Sequence, residues 1–317
     1  MAEDGNDFKV MPADQSYSLR KNNVVHAKHG PHIDDQVRDN MILGIRAHDL
    51  GTGSAAELAD LAVQRRLQAV QLAPAKAIPG APPVGGWNPD FAWQTAQAFS
   101  QRGVQIAVLG CYINPVHPDP VLLRAEIKRF KEALRYARDF GASVVGTETG
   151  SLNADCSPHP GNRSEATFVT LLATLQELAE EAEKWGVMIA LEAAAEHVVY
   201  DVDRLHRLLV ALDSNHVQVI FDPVNIILPA ECQNQPAYFE RALALIGEKI
   251  VALHAKDFVL RDGLLVRVPP GQGLLDYAAL LQQVGKLKPG VPVLMEETAG
   301  DARDPALAYL RGFDSLC

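Results

Sequence analysis

The chain has little cysteine and none of the spacings that usually build a cysteine-based structure. Its four cysteines, Cys111, Cys156, Cys232 and Cys317, lie far apart and include no C-x-x-C pair. A disulfide scaffold or a zinc ribbon needs pairs at short, regular spacings, so both are excluded. A reducing compartment suits this sequence, and Cys111 is interpreted as a small core or pocket residue rather than a nucleophile.

Long apolar runs and clusters of basic residues are also absent. No apolar stretch reaches the roughly 20 residues that span a bilayer, and the polar, acidic N-terminus does not resemble an export signal. The net charge of −10 comes without a Lys/Arg run, so binding to a nucleic acid backbone would lack its electrostatic source. We therefore predict a soluble cytoplasmic protein that binds neither membrane nor nucleic acid.

The composition is that of a globular protein with a sizeable core, since 48% of its 317 residues are apolar and 21% are charged. Residues 1–38 are polar and show no sustained period, so we expect an N-terminal extension followed by one folded domain at 39–317. The extension contains His26, His29 and His32. A solvated arm or a subunit contact is favoured over metal binding there, because no ligating partner of another type is nearby.

From residue 41 onward, eight short apolar runs alternate with amphipathic helical segments. A short, almost wholly apolar run is typical of a strand buried on both faces, and parallel strands covered by helices are the usual setting for it. Eight repeated βα units predict the α/β class and a (β/α)8 TIM barrel with a polar N-terminal extension. The predicted strands are 42–47, 69–72, 105–109, 143–146, 187–192, 217–222, 250–254 and 292–296.

Local signals support the helices and loops between these strands. Ser54 with Glu57 forms a capping box, and Asn88 and Asp304 each stand before a proline, which predicts two further helix starts. Long, proline-containing segments at 73–87 and 147–163 follow strands and are predicted to be lids on the catalytic face. A third insertion, 258–273, holds an Asp-Gly hairpin signal at 262–263 that would lean over the rim.

Four side chains of the metal-binding type stand at the ends of four successive apolar runs: Glu192, Asp222, His254 and Glu296. In α/β barrels the functional residues come from the C-terminal ends of strands, so these four are expected at one rim. Leaving three carboxylates unpaired at an apolar mouth is costly, and a cation removes that cost. Three oxygen ligands and one imidazole favour Mn²⁺ as the divalent cofactor, while Mg²⁺, Co²⁺ and Zn²⁺ also fit.

The same residues predict a chemistry. A polarised carbonyl makes the neighbouring C–H acidic enough for a carboxylate base, and a second carboxylate on the other face can return the proton. Glu192 and Glu296 are predicted to act both as ligands and as this acid/base pair, giving isomerisation or epimerisation next to a metal-bound carbonyl. Lys256 is the third catalytic candidate, a donor to a substrate oxygen, with a structural salt bridge as the equally weighted alternative.

Several residues near the predicted rim are candidates for binding substrate. Glu148 ends the fourth strand and would contact either substrate or a neighbouring charge. His197 lies in the loop after the fifth strand, where a substrate hydroxyl contact and a packing role have similar weight. Asn114 and His117 follow the third strand and face the same rim if the barrel forms.

At these residues the chain resembles the xylose isomerase-like TIM-barrel superfamily, the sugar phosphate isomerase/epimerase family, over residues 41–317. The matching pieces are Ala-Leu-Glu192, Phe-Asp222-Pro-Val-Asn, Leu-His254-Ala-Lys-Asp, Pro-Pro-Gly-Gln-Gly and Val-Leu-Met-Glu296. The resemblance implies metal-ligand roles for Glu192, Asp222, His254 and Glu296, and a proton-shuttling role for the two glutamates. Many members carry histidine where this chain has Asn225, so the substrate pocket departs from the usual one at that position. Asn225 is a fifth candidate for binding substrate.

Three functions compete on this basis. The leading prediction is a metal-dependent isomerase or epimerase of a small-molecule sugar or keto-sugar derivative. Its enzymatic rival is a lyase, a dehydratase or a deglycosidase that acts on a 3-keto sugar by elimination, which needs an extra acid such as His117, His159, His197 or Glu148. A non-catalytic barrel that binds a sugar or a partner would have lost rim ligands, and none is lost. Homo- or hetero-oligomer formation and phosphate on the substrate are left open.

Overall fold

A computed structural model describes residues 41–316, so the predictions made for the N-terminal extension and its three histidines lie outside the described residues. Eight parallel strands form the barrel: β1 (Leu43–Arg46), β2 (Ala69–Leu72), β3 (Gln105–Gly110), β4 (Val144–Glu148), β5 (Met188–Glu192), β6 (Val217–Phe221), β7 (Ile250–Ala255) and β10 (Val293–Met295). They close in the order β1-β10-β7-β6-β5-β4-β3-β2. The predicted (β/α)8 barrel is confirmed, and each strand matches its predicted run to within two residues.

Helices connect the strands along the outside of the barrel. They are α1 (Ala47–Leu50), α2 (Ala55–Gln64), α3 (Pro74–Ala77), α4 (Pro89–Ser100), α5 (Pro120–Tyr136), α6 (Glu165–Trp185), α7 (Val202–Leu212), α8 (Pro223–Ile226), α9 (Gln235–Ile246), α10 (Tyr277–Leu287) and α11 (Arg303–Arg311). In residues 41–316, none of them is both long and apolar enough to cross a bilayer.

Most predicted helix boundaries are confirmed by hydrogen bonds. Ser54 and Glu57 form the reciprocal capping box of α2, and the Asn88 side chain accepts a hydrogen bond from the first turn of α4. The helix predicted at Asp304-Pro305 is present, but the predicted cap is wrong, because α11 begins at Arg303, two residues before Pro305, and has no side-chain cap. Asp304 lies in the first turn instead, where its carboxylate accepts a hydrogen bond from Arg65 at 3.0 Å.

The period of the strands decides which side chains enter the barrel. Successive strand residues point to opposite faces, so every second residue lies inside. A lower interior layer is apolar and consists of Ala69, Val108, Val144, Ala190, Ile220, Ala252 and Leu294. Two residues further along five of these strands, the next inward side chains are polar: Gln71, Glu192, Asp222, His254 and Glu296. The barrel is therefore closed by an apolar layer below and lined by polar groups at its C-terminal mouth.

A hairpin of two antiparallel strands, β8 (Asp257–Arg261) and β9 (Leu264–Val268), follows β7 directly. Its turn residues, Asp262 and Gly263, have φ angles of 52° and 77°. Two successive positive φ angles are the conformation that an Asp-Gly hairpin turn adopts. The predicted hairpin is thus confirmed, and it begins immediately after the strand that carries His254.

Candidate metal centre

The four predicted ligands meet at the mouth of the barrel. Glu192, Asp222, His254 and Glu296 each offer one ligand atom, and these atoms all lie within 4.8 Å of one another. Each residue is buried, with no more than 4% of its surface exposed. Strands β5, β6, β7 and β10 are consecutive neighbours around the barrel. Their C-terminal ends therefore bring the four side chains to one place. Residues of these types in one buried group fit a divalent cation.

Two side-chain atoms of this group, His254 Nδ1 and Asp222 Oδ2, have no hydrogen-bond partner among the described residues, although Lys256 Nζ forms an ion pair with Asp222 Oδ2 at 2.9 Å. His254 uses its other ring nitrogen, since Nε2 lies 2.8 Å from Gln71 Oε1, and Nδ1 faces Glu192 Oε1 at 3.1 Å. Asp222 uses its other oxygen, because Oδ1 accepts the main-chain N–H of Asn225 at 3.2 Å. A buried polar atom without a hydrogen bond is costly, and the ion pair with Lys256 reduces that cost for Asp222 Oδ2. Both atoms point into the group, as ligands of an ion would.

A chain of hydrogen bonds connects His254 to Glu192 behind the ligand atoms. Gln71 Nε2 donates to Tyr112 Oη at 2.8 Å, and Tyr112 Oη donates to Glu192 Oε2 at 3.1 Å. Because the carboxylate can only accept, the tyrosine hydroxyl must accept from the amide nitrogen, which leaves Gln71 Oε1 to accept from His254 Nε2. This order places the proton of a neutral His254 on Nε2 and leaves the Nδ1 lone pair available as a ligand.

Lys256 and Asn225 complete the inner side of the group. Lys256 Nζ lies 2.9 Å from Asp222 Oδ2, contacts Glu296 Oε1, and donates to Asn225 Oδ1 at 3.1 Å. Asn225 Nδ2 donates to Glu192 Oε1 at 2.7 Å. The amide of Asn225 therefore holds Glu192 and Lys256 in fixed positions. Lys256 forms salt bridges with two of the predicted ligands, so both of its predicted roles are compatible with its position.

The charged side chains of this group shift one another's pKa values. Burial lowers the pKa of His254, but the charges of Glu192 and Glu296 outweigh burial and raise the pKa to about 9. Burial raises the pKa of Asp222 to about 6, although Lys256 opposes this effect. For Glu296 burial is outweighed by His254 and Lys256, which hold its pKa well below the ordinary value. The buried carboxylates thus depend on nearby positive charge, which a bound cation would also supply.

Sequence reasoning missed three polar residues of this mouth: Arg46, Gln71 and Tyr112. Arg46 ends β1, where its Nη1 donates to Glu296 Oε2 at 3.3 Å and its Nε pairs with Asp49 at 2.8 Å. A usable signal existed for two of them, since Arg46 and Gln71 are polar residues inside otherwise apolar strand runs. Tyr112 follows β3 in a segment without such a contrast.

The remaining predicted residues fall into two groups. Glu148 pairs in register with Glu192 on the adjacent strand, and His197 Nδ1 lies 3.9 Å from Glu148 Oε2. Both residues therefore lie beside the four predicted metal ligands. Asn114 Nδ2 donates to the main-chain oxygens of residues 151 and 153, and His117 Nδ1 accepts from the main chain at residue 119. These local contacts hold loops in place. The substrate-binding roles of these four residues and of Asn225 stay predictions.

The fold and the group at its mouth define a class of protein: a closed parallel α/β barrel with buried carboxylate and imidazole side chains at the C-terminal ends of its strands. Within that class, the chain belongs to the xylose isomerase-like TIM barrel family, whose model matches residues 60–316. The predicted family is confirmed. The match begins after β1, although β1 closes the barrel by pairing with β2 and β10.

Named relatives include sugar epimerases. A probable L-ribulose-5-phosphate 3-epimerase, UlaE, of Mycoplasma pneumoniae is 26% identical over 187 residues, which cover 59% of this chain and 56% of that protein. The apo structure of the 3-keto-D-glucoside 4-epimerase YcjR of E. coli is 17% identical with a TM-score of 0.65, covering 87% of this chain and 98% of that one. A xylose isomerase-like TIM barrel protein of Mycobacterium smegmatis in complex with magnesium is 14% identical with a TM-score of 0.62, covering 87% and 96%. At these identities the two structures show a shared fold.

Proposed function

We propose that this protein is a divalent-metal-dependent isomerase or epimerase of a sugar or keto-sugar derivative. The observation that carries the proposal is the buried group of Glu192, Asp222, His254 and Glu296, in which one possible ligand atom from each residue lies within 4.8 Å of the others. His254 Nδ1 has no hydrogen-bond partner among the described residues. Membership of the family and the epimerases among its relatives support this reaction class.

The residues that would hold the ion are Glu192, Asp222, His254 and Glu296. When bound, the ion supplies Lewis acidity beside a substrate carbonyl. Carboxylate oxygens with one imidazole suit Mn²⁺, Mg²⁺ or Co²⁺, and Mn²⁺ is our first choice. The magnesium in the Mycobacterium smegmatis relative is consistent with a hard divalent ion.

Proton transfer is assigned to Glu192 and Glu296. Glu192 ends β5 and Glu296 follows β10, with β6 and β7 between them around the barrel, so the two carboxylates approach the mouth from different sides. One would remove the proton from the carbon beside the carbonyl, and the other would deliver a proton to the opposite face or the adjacent carbon. Lys256 Nζ, held between Asp222 and Asn225, would donate a hydrogen bond to a substrate oxygen.

The test measures bound metal and proton exchange on the same protein. The purified chain, loaded with Mn²⁺, is incubated in D₂O with D-fructose, D-psicose, D-tagatose, L-ribulose 5-phosphate and a methyl 3-keto-D-glucoside. We expect deuterium to enter one carbon next to the carbonyl of at least one compound. Glu192→Gln and Glu296→Gln should each slow this exchange by about 10²- to 10⁴-fold, because an amide keeps a ligand oxygen but cannot act as a base.

Metal content of each variant must be measured beside the exchange rate, since a loss of metal would also abolish activity. Glu240→Gln, which changes an exposed glutamate on α9, is the matched control and should behave as the wild type. Release of water or of methanol from a compound, in place of an isomer or epimer, would indicate the lyase instead. A protein that binds no divalent ion, or that binds one and exchanges no proton with any compound, would contradict the proposal.

A further inference from the structure

Two polar side chains, those of Glu148 and His197, lie beside the candidate metal centre but are not among its four predicted ligands. Glu148 is the last residue of β4 and pairs in register with Glu192, the last residue of β5. Neighbouring parallel strands lie about 4.8 Å apart, and register partners point to the same face. His197 reaches the same place from the loop after β5, with its Nδ1 3.9 Å from Glu148 Oε2. The pair therefore lies on the Glu192 side of the mouth.

The gap between these atoms is informative. A separation of 3.9 Å is too long for a direct hydrogen bond, and a polar contact of this length commonly holds a third group between its partners. The His197 side chain is 6% exposed, and its Nδ1 has no hydrogen-bond partner among the described residues. A buried nitrogen in that state needs a partner. The Glu148 side chain, by contrast, is 33% exposed and so open to the mouth.

The backbone around both residues is tied together, so the gap is a defined feature of the fold. The N–H of Val198 donates to the main-chain oxygen of Gly150 at 3.0 Å, and the N–H of Val199 donates to Thr149 Oγ1 at 3.2 Å. Asn162 Nδ2 donates to the main-chain oxygen next to His197 at 2.8 Å. These bonds join the loop after β4 to the loop after β5, which preorganises the two side chains.

We propose that Glu148 and His197 form a subsite for one hydroxyl group of the substrate, next to the carbons that react, and that this subsite selects the configuration of that carbon. A hydroxyl both donates and accepts, so its oxygen can bond to His197 Nδ1 and Glu148 Oε2 at about 2.8 Å each. An epimer directs the same hydroxyl away and leaves both groups unpaired, which is the usual source of strong discrimination by polar sites. This inference rests on the proposed function, which identifies the ligand as a hydroxylated ketone.

The four D-2-ketohexoses are suitable probes, because D-fructose, D-psicose, D-tagatose and D-sorbose differ only in configuration at C3 and C4. Their dissociation constants are measured by calorimetry on the Mn²⁺-loaded wild type and on Glu148→Gln, His197→Phe and the double variant. We expect the wild type to prefer one configuration. Each single variant should weaken binding of the preferred epimer by about tenfold, the size of one hydrogen bond, and change the others by less than about twofold.

Non-additivity separates a shared hydroxyl from two independent effects. If both side chains hold one group, the double variant should lose little more than the larger single loss. His197→Asn, whose amide can occupy the place of Nδ1, should recover part of the preference and covers the case in which His197→Phe folds poorly. Metal affinity must stay at the wild-type value in Glu148→Gln.

Three outcomes overturn the subsite: no preference among the four ketohexoses in the wild type, an equal loss for all four in the variants, or a loss of metal from Glu148→Gln. Proton exchange is scored separately on the same samples. Selective binding, together with no exchange in any compound of either panel, would refute the proposed function and leave the subsite standing. Exchange without selectivity would do the reverse.

Discussion

Gln71 is the residue on which the orientation of His254 depends. Its amide oxygen accepts from His254 Nε2, and its amide nitrogen donates to Tyr112 Oη, which in turn donates to Glu192 Oε2. A partner that fixes the second nitrogen of a ligating histidine sets both its tautomer and its ring orientation. Gln71 is 2% exposed, so water is a poor substitute for its amide. We infer that it positions His254 and Glu192, two of the four proposed metal ligands, without being a ligand itself.

Replacing Gln71 with leucine should therefore weaken metal binding. Gln71→Leu removes the acceptor for His254 Nε2, so the ring can rotate or move its proton to Nδ1, where the proton blocks the ligand lone pair. We expect the Mn²⁺ dissociation constant to rise by about 10- to 100-fold, the range typical of lost outer-shell partners. Competition with a chromophoric chelator measures it.

Tyr112→Phe, which removes one hydrogen bond to Glu192 and leaves His254 in place, should have a smaller effect. Gln218→Leu is the matched control, because Gln218 lies in β6 and bonds only the main chain of residue 215 among the described contacts. Equal Mn²⁺ affinities in Gln71→Leu and Gln218→Leu would show that Gln71 does not position His254.

At the scale of elements, the hairpin β8–β9 and the segment after it are held by one carboxylate. Asp257 accepts hydrogen bonds from the main-chain N–H groups of Phe258, Gly271, Gly273 and Leu275, at 2.8 to 3.1 Å. Hydrogen bonds to a buried charged acceptor are among the strong ones. The Pro-Pro-Gly-Gln-Gly segment thus wraps around Asp257, and its glycines serve close backbone approach. This arrangement fixes the segment beside Lys256.

Gly273 should not tolerate a side chain. A Cβ at this position would lie 2.3 Å from both Asp257 Oδ1 and the main-chain oxygen of Phe258, so the segment would have to move and stretch its bonds to Asp257. We expect Gly273→Ala to lower the free energy of unfolding by about 1–3 kcal/mol, as overpacking usually does. Urea unfolding followed by circular dichroism measures the change.

Gly86→Ala provides the comparison, since a Cβ at Gly86 would meet its nearest neighbour at an ordinary 3.5 Å. That substitution should change the urea midpoint little. If both variants unfold at the wild-type midpoint, the close approach at Gly273 is not a constraint on the fold.

At the scale of the whole molecule, we propose that residues 39–317 fold as one unit without the first 38 residues. The barrel is closed by β1, which pairs with β2 and β10, and Met41 N donates to Asp314 Oδ1 at 2.7 Å. The first described residue is therefore already attached to the far end of the chain. A cut placed after residue 38 leaves all of these contacts in place.

A variant that begins at residue 39 should keep the far-ultraviolet circular dichroism and the Mn²⁺ content of the full chain. Its melting temperature should fall by less than about 3 °C, which corresponds to roughly 1 kcal/mol for a protein of this size. A second variant that begins at residue 48 removes β1 and should fail to fold. An insoluble or metal-free product from the first variant would show that the barrel needs residues 1–38 in order to fold or to bind metal.

The sequence by itself determined the strands, the barrel, the hairpin and the four residues of the candidate metal centre. These features follow from local patterns, because a buried parallel strand is a short apolar run and its C-terminal end faces the mouth of an α/β barrel. Glu192, Asp222, His254 and Glu296 each stand directly at such an end, where the pattern is most informative.

Only the tertiary structure decided which other polar residues join that centre. Gln71 bonds a histidine 183 positions away, and Arg46 reaches Glu296 across 250, while Asn114 stays with the neighbouring loop. Such contacts depend on strand order around the closed barrel and on the reach of each side chain. Neither the strand order nor the reach of a side chain can be read from a local period in the sequence, because both matter only once distant strands become neighbours.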